Sequence, residues 1–175
     1  VEGIDAQKGL VYLSGGTSIP YEYLVMATGA KAVRLDIPGQ DLEGVFSLKN
    51  LSDAIRIKSW IRDKQCRRAV ILGAGYIAME MCEALQTIGL DTKIVYRGKL
   101  PAKKWDPAFS QVILEEIKGH GVEFVSGRKP LAIEKGKTGS LQLVTDSGVV
   151  KADIILMALG VSPEVSLAKS IWLSI

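Results

Sequence analysis

Residues 68–80, RAVILGAGYIAME, constrain this chain more than any other stretch, because a short apolar run breaks into glycines and then becomes a helical pattern. Val70, Ile71 and Leu72 have the unbroken apolar character of a parallel strand buried on both faces, with no alternation of period two. Gly73, Ala74, Gly75, Tyr76, Ile77 and Ala78 then fit the G-x-G-x-x-G/A pattern of dinucleotide sites. The first glycine permits the tight turn, the second lets a pyrophosphate approach the backbone, and a small third residue lets helix and strand pack closely. Free N–H groups and the helix dipole favour an anion at that helix start. The stretch therefore predicts a Rossmann-like α/β fold with a nucleotide at the strand's carboxyl end.

Ile77, Met81, Ala84, Leu85 and Ile88 recur at intervals of three and four, which predicts a helix running to Gly89 with those residues on its apolar face. Residues 92–96, TKIVY, read as the next strand, ending at Tyr96. An NAD site commonly carries an acidic residue about 20 positions after the glycines, to accept from the ribose 2′-OH. Arg97 stands there instead. A guanidinium cannot accept from a hydroxyl but makes charge-assisted contacts to a 2′-phosphate. With Lys99, Lys103 and Lys104 in the same loop, NADP is favoured over NAD.

Ahead of this region, residues 9–13 and the segment from Ile19 flank a glycine-rich turn and predict a hairpin. Residues 23–27, YLVMA, predict a central strand of a parallel sheet, ending at Thr28 and Gly29, where a carboxyl end can face a ligand. Residues 31–47 read as a linker, with a domain junction there, and Ser52 as the N-cap of a helix over 53–63 that buries Ile57, Trp60 and Ile61. Arg62, Lys64, Arg67 and Arg68 read as a solvated face. Downstream, Asp106 and Pro107 predict an N-cap and N1 for a helix to Gly119 with Phe109, Val112, Ile113 and Ile117 on its apolar face. A strand at 122–126 follows. Residues 130–134, 141–145 and 148–151, separated by turns at 135–139 and 146–148, predict an antiparallel meander, and residues 153–160 a buried strand ending at Gly160.

Composition narrows the functional classes. With 47% apolar and 23% charged residues the chain has the makeup of a soluble globular protein, and a net charge of +3 is too small to argue for nucleic acid. No apolar run reaches the length of a membrane span, and the first residues lack the regions of a signal peptide, so no membrane partner and a cytoplasmic setting are expected. Cys66 and Cys82 have neither paired nor zinc-ligand spacing, and no metal is expected. Both read as packing residues, Cys82 on the helix after the glycine turn. The basic residues around Cys66 would lower its pKa if it were exposed. His120 falls at a helix end.

Three stretches together carry a resemblance: residues 21–30 (YEYLVMATGA), 73–80 (GAGYIAME) and 153–163 (DIILMALGVSP). In order and approximate spacing they resemble signatures of the pyridine nucleotide-disulfide oxidoreductases, in particular the branch of NADH oxidases, NADH peroxidases and coenzyme A disulfide reductases. The resemblance implies a nucleotide domain inserted into a flavin domain: residues 1–47 as a partial, β-rich FAD-domain segment and linker, 48–160 as the NAD(P)-binding domain, and 161–175 as the return segment. It implies that the flavin's own glycine motif, a redox cysteine and a dimerisation domain lie outside these residues. The chain is then a fragment with no catalytic residue of its own, belonging to a homodimer that transfers hydride from NAD(P)H to FAD and on to a disulfide, peroxide or oxygen. By the same resemblance Gly73, Gly75, Ile77 and Ala78 would surround the pyrophosphate, Tyr76 would lie between nicotinamide and flavin, and Glu80 would approach the nicotinamide. Arg97 and Lys103 match positions that are basic in NADPH-using relatives, Tyr96 counts among the cofactor-binding residues, Gly160 would let the nicotinamide end approach the backbone, and Thr28 and Gly29 would lie near both cofactors. The competing readings are a reductase of a ferredoxin or rubredoxin and a nucleotide-sensing module without turnover.

Overall fold

The computed structural model describes residues 1–136 and 139–174. In chain order β1 (Gly3–Asp5), β2 (Leu10–Tyr12), β3 (Ser18–Pro20) and β4 (Ala30–Ala32) precede β5 (Val45–Ser47), α1 (Leu51–Asp63), β6 (Arg68–Leu72), α2 (Tyr76–Thr87), β7 (Asp91–Tyr96) and α3 (Pro107–Gly119). There follow β8 (Glu123–Ser126), β9 (Pro130–Lys135), β10 (Leu141–Thr145), β11 (Gly148–Ala152), β12 (Ile154–Met157), β13 (Val161–Pro163) and α4 (Ser166–Ser170). The chain forms two compact units, one of Ala32–Gly160 and one of Val1–Lys31 with the stretch from Val161 onward.

The larger unit is built on a five-stranded parallel sheet of order β5-β12-β6-β7-β8. Its two faces are covered differently. Ala69 and Ile71 of β6 join Ile94, Ile154 and Leu156 in a core completed by Ile57 of α1 and Ala78, Cys82 and Leu85 of α2. Val70 and Leu72 point to the other face, where Ile133, Leu141, Leu143 and Ala152 of the antiparallel β9-β10-β11 meander close a second core. Double coverage explains why β6 and β12 read as unbroken apolar runs. The β9–β10 turn predicted at 135–139 includes residues 137 and 138, which lie outside the described residues.

Three sequence readings change in this unit. Residues 31–47 are not merely a linker: β5 pairs in parallel with β12, Ile155 opposite Val45, and the compact unit begins at Ala32 rather than at residue 48. Three residues give too short a run for periodicity to reveal a strand. The α1 N-cap is Asn50, not Ser52, because Asn50 and Asp53 form a reciprocal capping box that a cap at Ser52 would lack. Trp60 and Ile61 do pack beside Ile57, as expected. The helix faces are borne out in part, since Met81 and Leu85 of α2 and Ile117 of α3 pack on the core as expected, while other predicted residues turn to solvent. On α2 the sheet takes Ala78, Cys82 and Leu85, leaving Ala84 and Ile88 exposed; on α3 Ser110 and Leu114 are buried and Phe109 and Val112 are exposed. More than one stripe of the helical period was apolar enough, and the entry turn of each helix selects which one meets the sheet. The α3 start is as predicted, with Asp106 accepting from the Ala108 amide at 2.8 Å ahead of Pro107.

Asp153 ties the layers together. Its carboxylate accepts from the backbone N–H groups of Arg67 at 3.0 Å and Arg68 at 2.9 Å, and from the Arg68 guanidinium at 2.6 Å. Its carbonyl accepts from the Trp60 indole at 3.2 Å, fastening α1 to the same point. Arg68 is therefore an ion-paired residue and not part of a solvated face. Burial pushes the Asp153 carboxyl upward, but the Arg68 and backbone donors outweigh it and hold it below the usual carboxylate range.

In the smaller unit β1, β2 and β3 form an antiparallel sheet, with Leu10 opposite Pro20 across the predicted hairpin. Residues 23–27 form no strand, contrary to expectation, and Tyr23 and Val25 are each 87% exposed. A strand buried on both faces exists only between pairing neighbours, and among the described residues this run has none.

Replacing Asp153 by Ala leaves two backbone donors and Arg68 without their acceptor, so urea unfolding at pH 7 is expected to show a loss of about 1–3 kcal/mol. Because the folded-state pKa is depressed, the wild-type advantage is present above the unfolded-state value of about 3.9 and fades as pH falls through the folded value. A deficit that persists undiminished at pH 2–3 contradicts this assignment.

Candidate functional site

Parallel pairing brings three of the predicted segments to one edge. Leu72 of β6 lies opposite Val95 of β7 and Met157 of β12, so the glycine turn emerges between the segments that lead to Arg97 and to Gly160. Strands about 4.8 Å apart place these flanks roughly 10 Å from one another across the turn. That is the crevice in which open parallel sheets take ligands.

Gly73 is required by the fold itself. Its φ is +118°, and a Cβ there would overlap the Ala158 carbonyl oxygen, with the carbonyl carbon 2.9 Å away. Its N–H donates to Val95 O at 3.1 Å, while Ala158 N–H donates to Leu72 O at 2.8 Å. Gly75 is different. It is the N-cap of α2 with φ −94°, it offers no side-chain cap, and a Cβ would meet nothing within 4 Å. The space above the helix start is open, and the first turn carries no acidic residue. The Met79 N–H donates to Gly75 O at 3.1 Å, while the amides of residues 76–78 precede the first full helical bond and point outward along the axis. Ala78 is fully buried against the sheet, the role its size predicts, and Ile77 is half-buried.

Glu80 is exposed on α2, which removes the desolvation penalty a buried carboxylate would carry. Tyr96 is half-buried and stacks at a tilt on Phe124, 6.4 Å between centroids. Arg97, Lys99, Lys103 and Lys104 are exposed, and among the described residues none has an ion-pair partner. Gly160 has φ +96°, and its carbonyl accepts from Val33 N–H at 3.0 Å. Thr28 and Gly29 belong to the smaller unit, where the Thr28 hydroxyl donates to the Glu164 carbonyl and Gly29 O accepts from Glu164 N–H at 2.9 Å.

The sequence reading missed the contribution of the β7–α3 loop beyond its charge. Ala102 donates its N–H to Ala74 O, inside the glycine turn, at 2.8 Å, and Trp105 donates its indole N–H to the Tyr76 hydroxyl at 2.6 Å. These contacts have no periodicity or local spacing that a linear reading could detect.

Neither cysteine is poised for redox work. Cys66 is buried, as a packing residue is, so the condition for its basic neighbours to lower its pKa is not met, and burial together with nearby Asp153 pushes its thiol up. Cys82 is buried against the sheet and pushed up to about 11 by desolvation. Both are free thiols. Among the described residues no group of three or more His, Cys, Asp or Glu side chains is placed to hold a metal ion, and no helix is long and apolar enough to cross a membrane.

A family model described as pyridine nucleotide-disulphide oxidoreductase matches residues 1–175. An NAD(P)H sulfur oxidoreductase (CoA-dependent) of Pyrococcus furiosus is 34% identical over 178 residues, covering 99% of this chain and 40% of that protein. The fold of a water-forming NADH oxidase from Lactobacillus brevis, solved with NADH bound, superposes with a TM-score of 0.85 at 29% identity, over 96% of this chain and 38% of that one. An engineered mutant of that oxidase, a water-forming NADPH oxidase solved with NADPH bound, superposes with a TM-score of 0.86 at 30% identity, over 98% of this chain and 39% of that one. Its substitutions include a glycine to alanine and, 19 and 25 positions later, an alanine to arginine and a proline to arginine. The chain thus spans about two fifths of the length of these relatives.

Two measurements check the site's construction. Gly73→Ala is expected to destabilise the fold by at least about 1–3 kcal/mol from backbone strain alone, whereas Gly75→Ala costs no more than about 1 kcal/mol; equal midpoints in urea would refute the distinction. A disulfide-exchange reagent at pH 8 is expected to label neither thiol in the native chain and both in denaturant. Rapid native labelling of Cys66 would show that its burial is wrongly assigned.

Proposed function

Because the chain belongs to the pyridine nucleotide-disulphide oxidoreductase family, we propose that its Ala32–Gly160 unit is the NAD(P)-binding part of a flavin-dependent oxidoreductase. The observation that carries this reading is the open space over Gly75, an uncapped helix start aimed at the place where a pyrophosphate would lie. When bound, the nicotinamide nucleotide supplies a hydride for FAD, from which electrons pass to a disulfide, peroxide or oxygen. The chain's own contribution is position. Residues 73–78 hold the pyrophosphate, Gly160 leaves room for the nicotinamide end at β12, and Glu80 faces that end from α2, while the Tyr76 ring lies against Trp105 of the β7–α3 loop. The smaller unit, with Thr28 and Gly29, is a piece of the flavin domain, and its exposed residues 23–27, which form no strand here, have the apolar composition to pair with the rest of that domain.

NADP is the preferred nucleotide in this reading. Arg97 and Lys103 sit at the adenosine side with no competing ion pair among the described residues. The engineered NADPH oxidase supports the choice through its spacing: Ala78, Arg97 and Lys103 stand 19 and 25 positions apart in this chain, as the introduced alanine and arginines do in that protein. Ala78 itself packs into the core, so its part is to set helix–strand distance, while the cations meet the phosphate.

Both thiols are buried and raised, so a disulfide-reducing step would use a cysteine outside these residues. The same observation favours, as a second reading, a flavoprotein that reduces a ferredoxin or rubredoxin and needs no thiol. The remaining flavin site, a dimerisation region and a homodimeric state belong to this proposal, as does a cytoplasmic location, with which two unpaired thiols agree.

Calorimetric titration at one fixed salt concentration is expected to give tighter binding of NADPH than NADH. Arg97→Ala should weaken NADPH by about 10- to 100-fold, the worth of a charge-assisted contact, and NADH by little. Equal affinities in the wild type would overturn the NADP preference, and binding of neither nucleotide would overturn the site.

A further inference from the structure

Tyr76 is the first residue of α2, directly after Gly75, and its side chain is 60% exposed. An aromatic ring at that position has two destinations. It can turn across the outward-pointing amides of the helix start or stand away from them. Its hydroxyl accepts the Trp105 indole N–H at 2.6 Å, and the two rings stack at a tilt of 60° with centroids 5.7 Å apart. Trp105 is itself held from below. Its backbone N–H donates to Ala102 O at 2.8 Å, Ala102 and Pro101 are buried, and the Ala102 backbone N–H donates to Ala74 O at 2.8 Å. Ala102 holds φ at +50°, a conformation an L side chain adopts only where its surroundings over-determine it. The next residue, Asp106, caps α3. The indole is therefore mounted on a rigid support that grips the glycine turn on one side of Gly75 and Tyr76 on the other.

We propose that Trp105 is a positioning residue of the nucleotide site, a latch that holds the Tyr76 ring clear of the α2 amides so that the pyrophosphate cradle is preformed. The proposal rests on reading residues 73–78 as that cradle. Without the latch, Tyr76 samples rotamers that cover the amides, and affinity falls by the fraction of molecules in the covered state. The effect is on the pyrophosphate, which NADH and NADPH share. This separates Trp105 from Arg97 and the lysines on the same loop, whose contribution falls on the 2′-phosphate.

The test is a double-mutant cycle of Trp105→Phe and Tyr76→Phe in the 175-residue chain, titrated calorimetrically with NADPH and with NADH, beside thermal unfolding of each variant. Each single substitution removes one partner of the hydrogen bond; Tyr76→Phe keeps its ring, and Trp105→Phe keeps an aromatic ring of smaller size. Each is expected to weaken both nucleotides by a similar factor, about 3- to 10-fold, and the double variant should be no weaker than either single one. Unchanged affinities, multiplying losses in the double variant, or a loss confined to NADPH would each overturn the latch. Tyr76→Phe removes a single exposed hydroxyl, so it decides the matter alone should Trp105→Phe fail to fold. Failure of the wild type to bind either nucleotide would remove the cradle and the latch together; wild-type binding with silent variants removes the latch only.

Discussion

The close approach of Gly73 to the Ala158 carbonyl is the constraint from which the site is built. β6 and β12 run side by side, and immediately past Leu72 the chain must turn up into α2 while β12 continues beside it. Only a residue without Cβ and tolerant of φ +118° can stand in that gap. Given that turn, α2 starts at the carboxyl edge with its amides uncovered, and β7 delivers Arg97 to the same edge one strand away.

The two glycines of the turn therefore do different work. Gly73 is demanded by packing between neighbouring strand ends and would be needed in this fold whatever the crevice held. Among the described residues, and apart from its own neighbours Ala74 and Tyr76, nothing demands Gly75, since a Cβ there would meet no other atom within 4 Å. A small residue that the fold does not require points to a ligand more strongly than one that it does. The unpaired cations of the β7–α3 loop follow the same logic: elsewhere Arg68, Lys93 and Lys31 have carboxylate partners, whereas Arg97, Lys99, Lys103 and Lys104 have none among the described residues.

The β7–α3 loop is more than a carrier of charge. Its anchoring at Ala74 and Tyr76 makes it part of the turn's framework, so charge and cradle are delivered on one rigid piece. Asp153 plays a comparable part at the opposite, amino-terminal edge of β6, gathering two backbone donors, a guanidinium and the Trp60 indole through its carbonyl. One end of the central strand is clamped and the other is left open.

Local sequence determined the elements whose cause is local. The apolar run of β6 and β12, the turn at Gly73 to Ala78, the Asp106–Pro107 helix start and the strand-turn alternation of the meander are each encoded in adjacent residues, and the three separated motifs identified the family. Tertiary structure decided what depends on partners distant in the chain. Periodicity left two candidate stripes on α2 and α3, and docking chose Ala78, Cys82 and Leu85 over Ala84 and Ile88, and Leu114 over Phe109 and Val112. Residues 23–27 have the composition of a buried strand yet form none, because a strand is made by its neighbours and not by its own residues. Whether the arginines around Cys66 could lower its pKa depended on exposure, which the sequence does not give; the thiol is buried, and burial and Asp153 push its pKa up. Trp105 carried no signal at all, since its hydrogen bond to Tyr76 joins residues 29 positions apart.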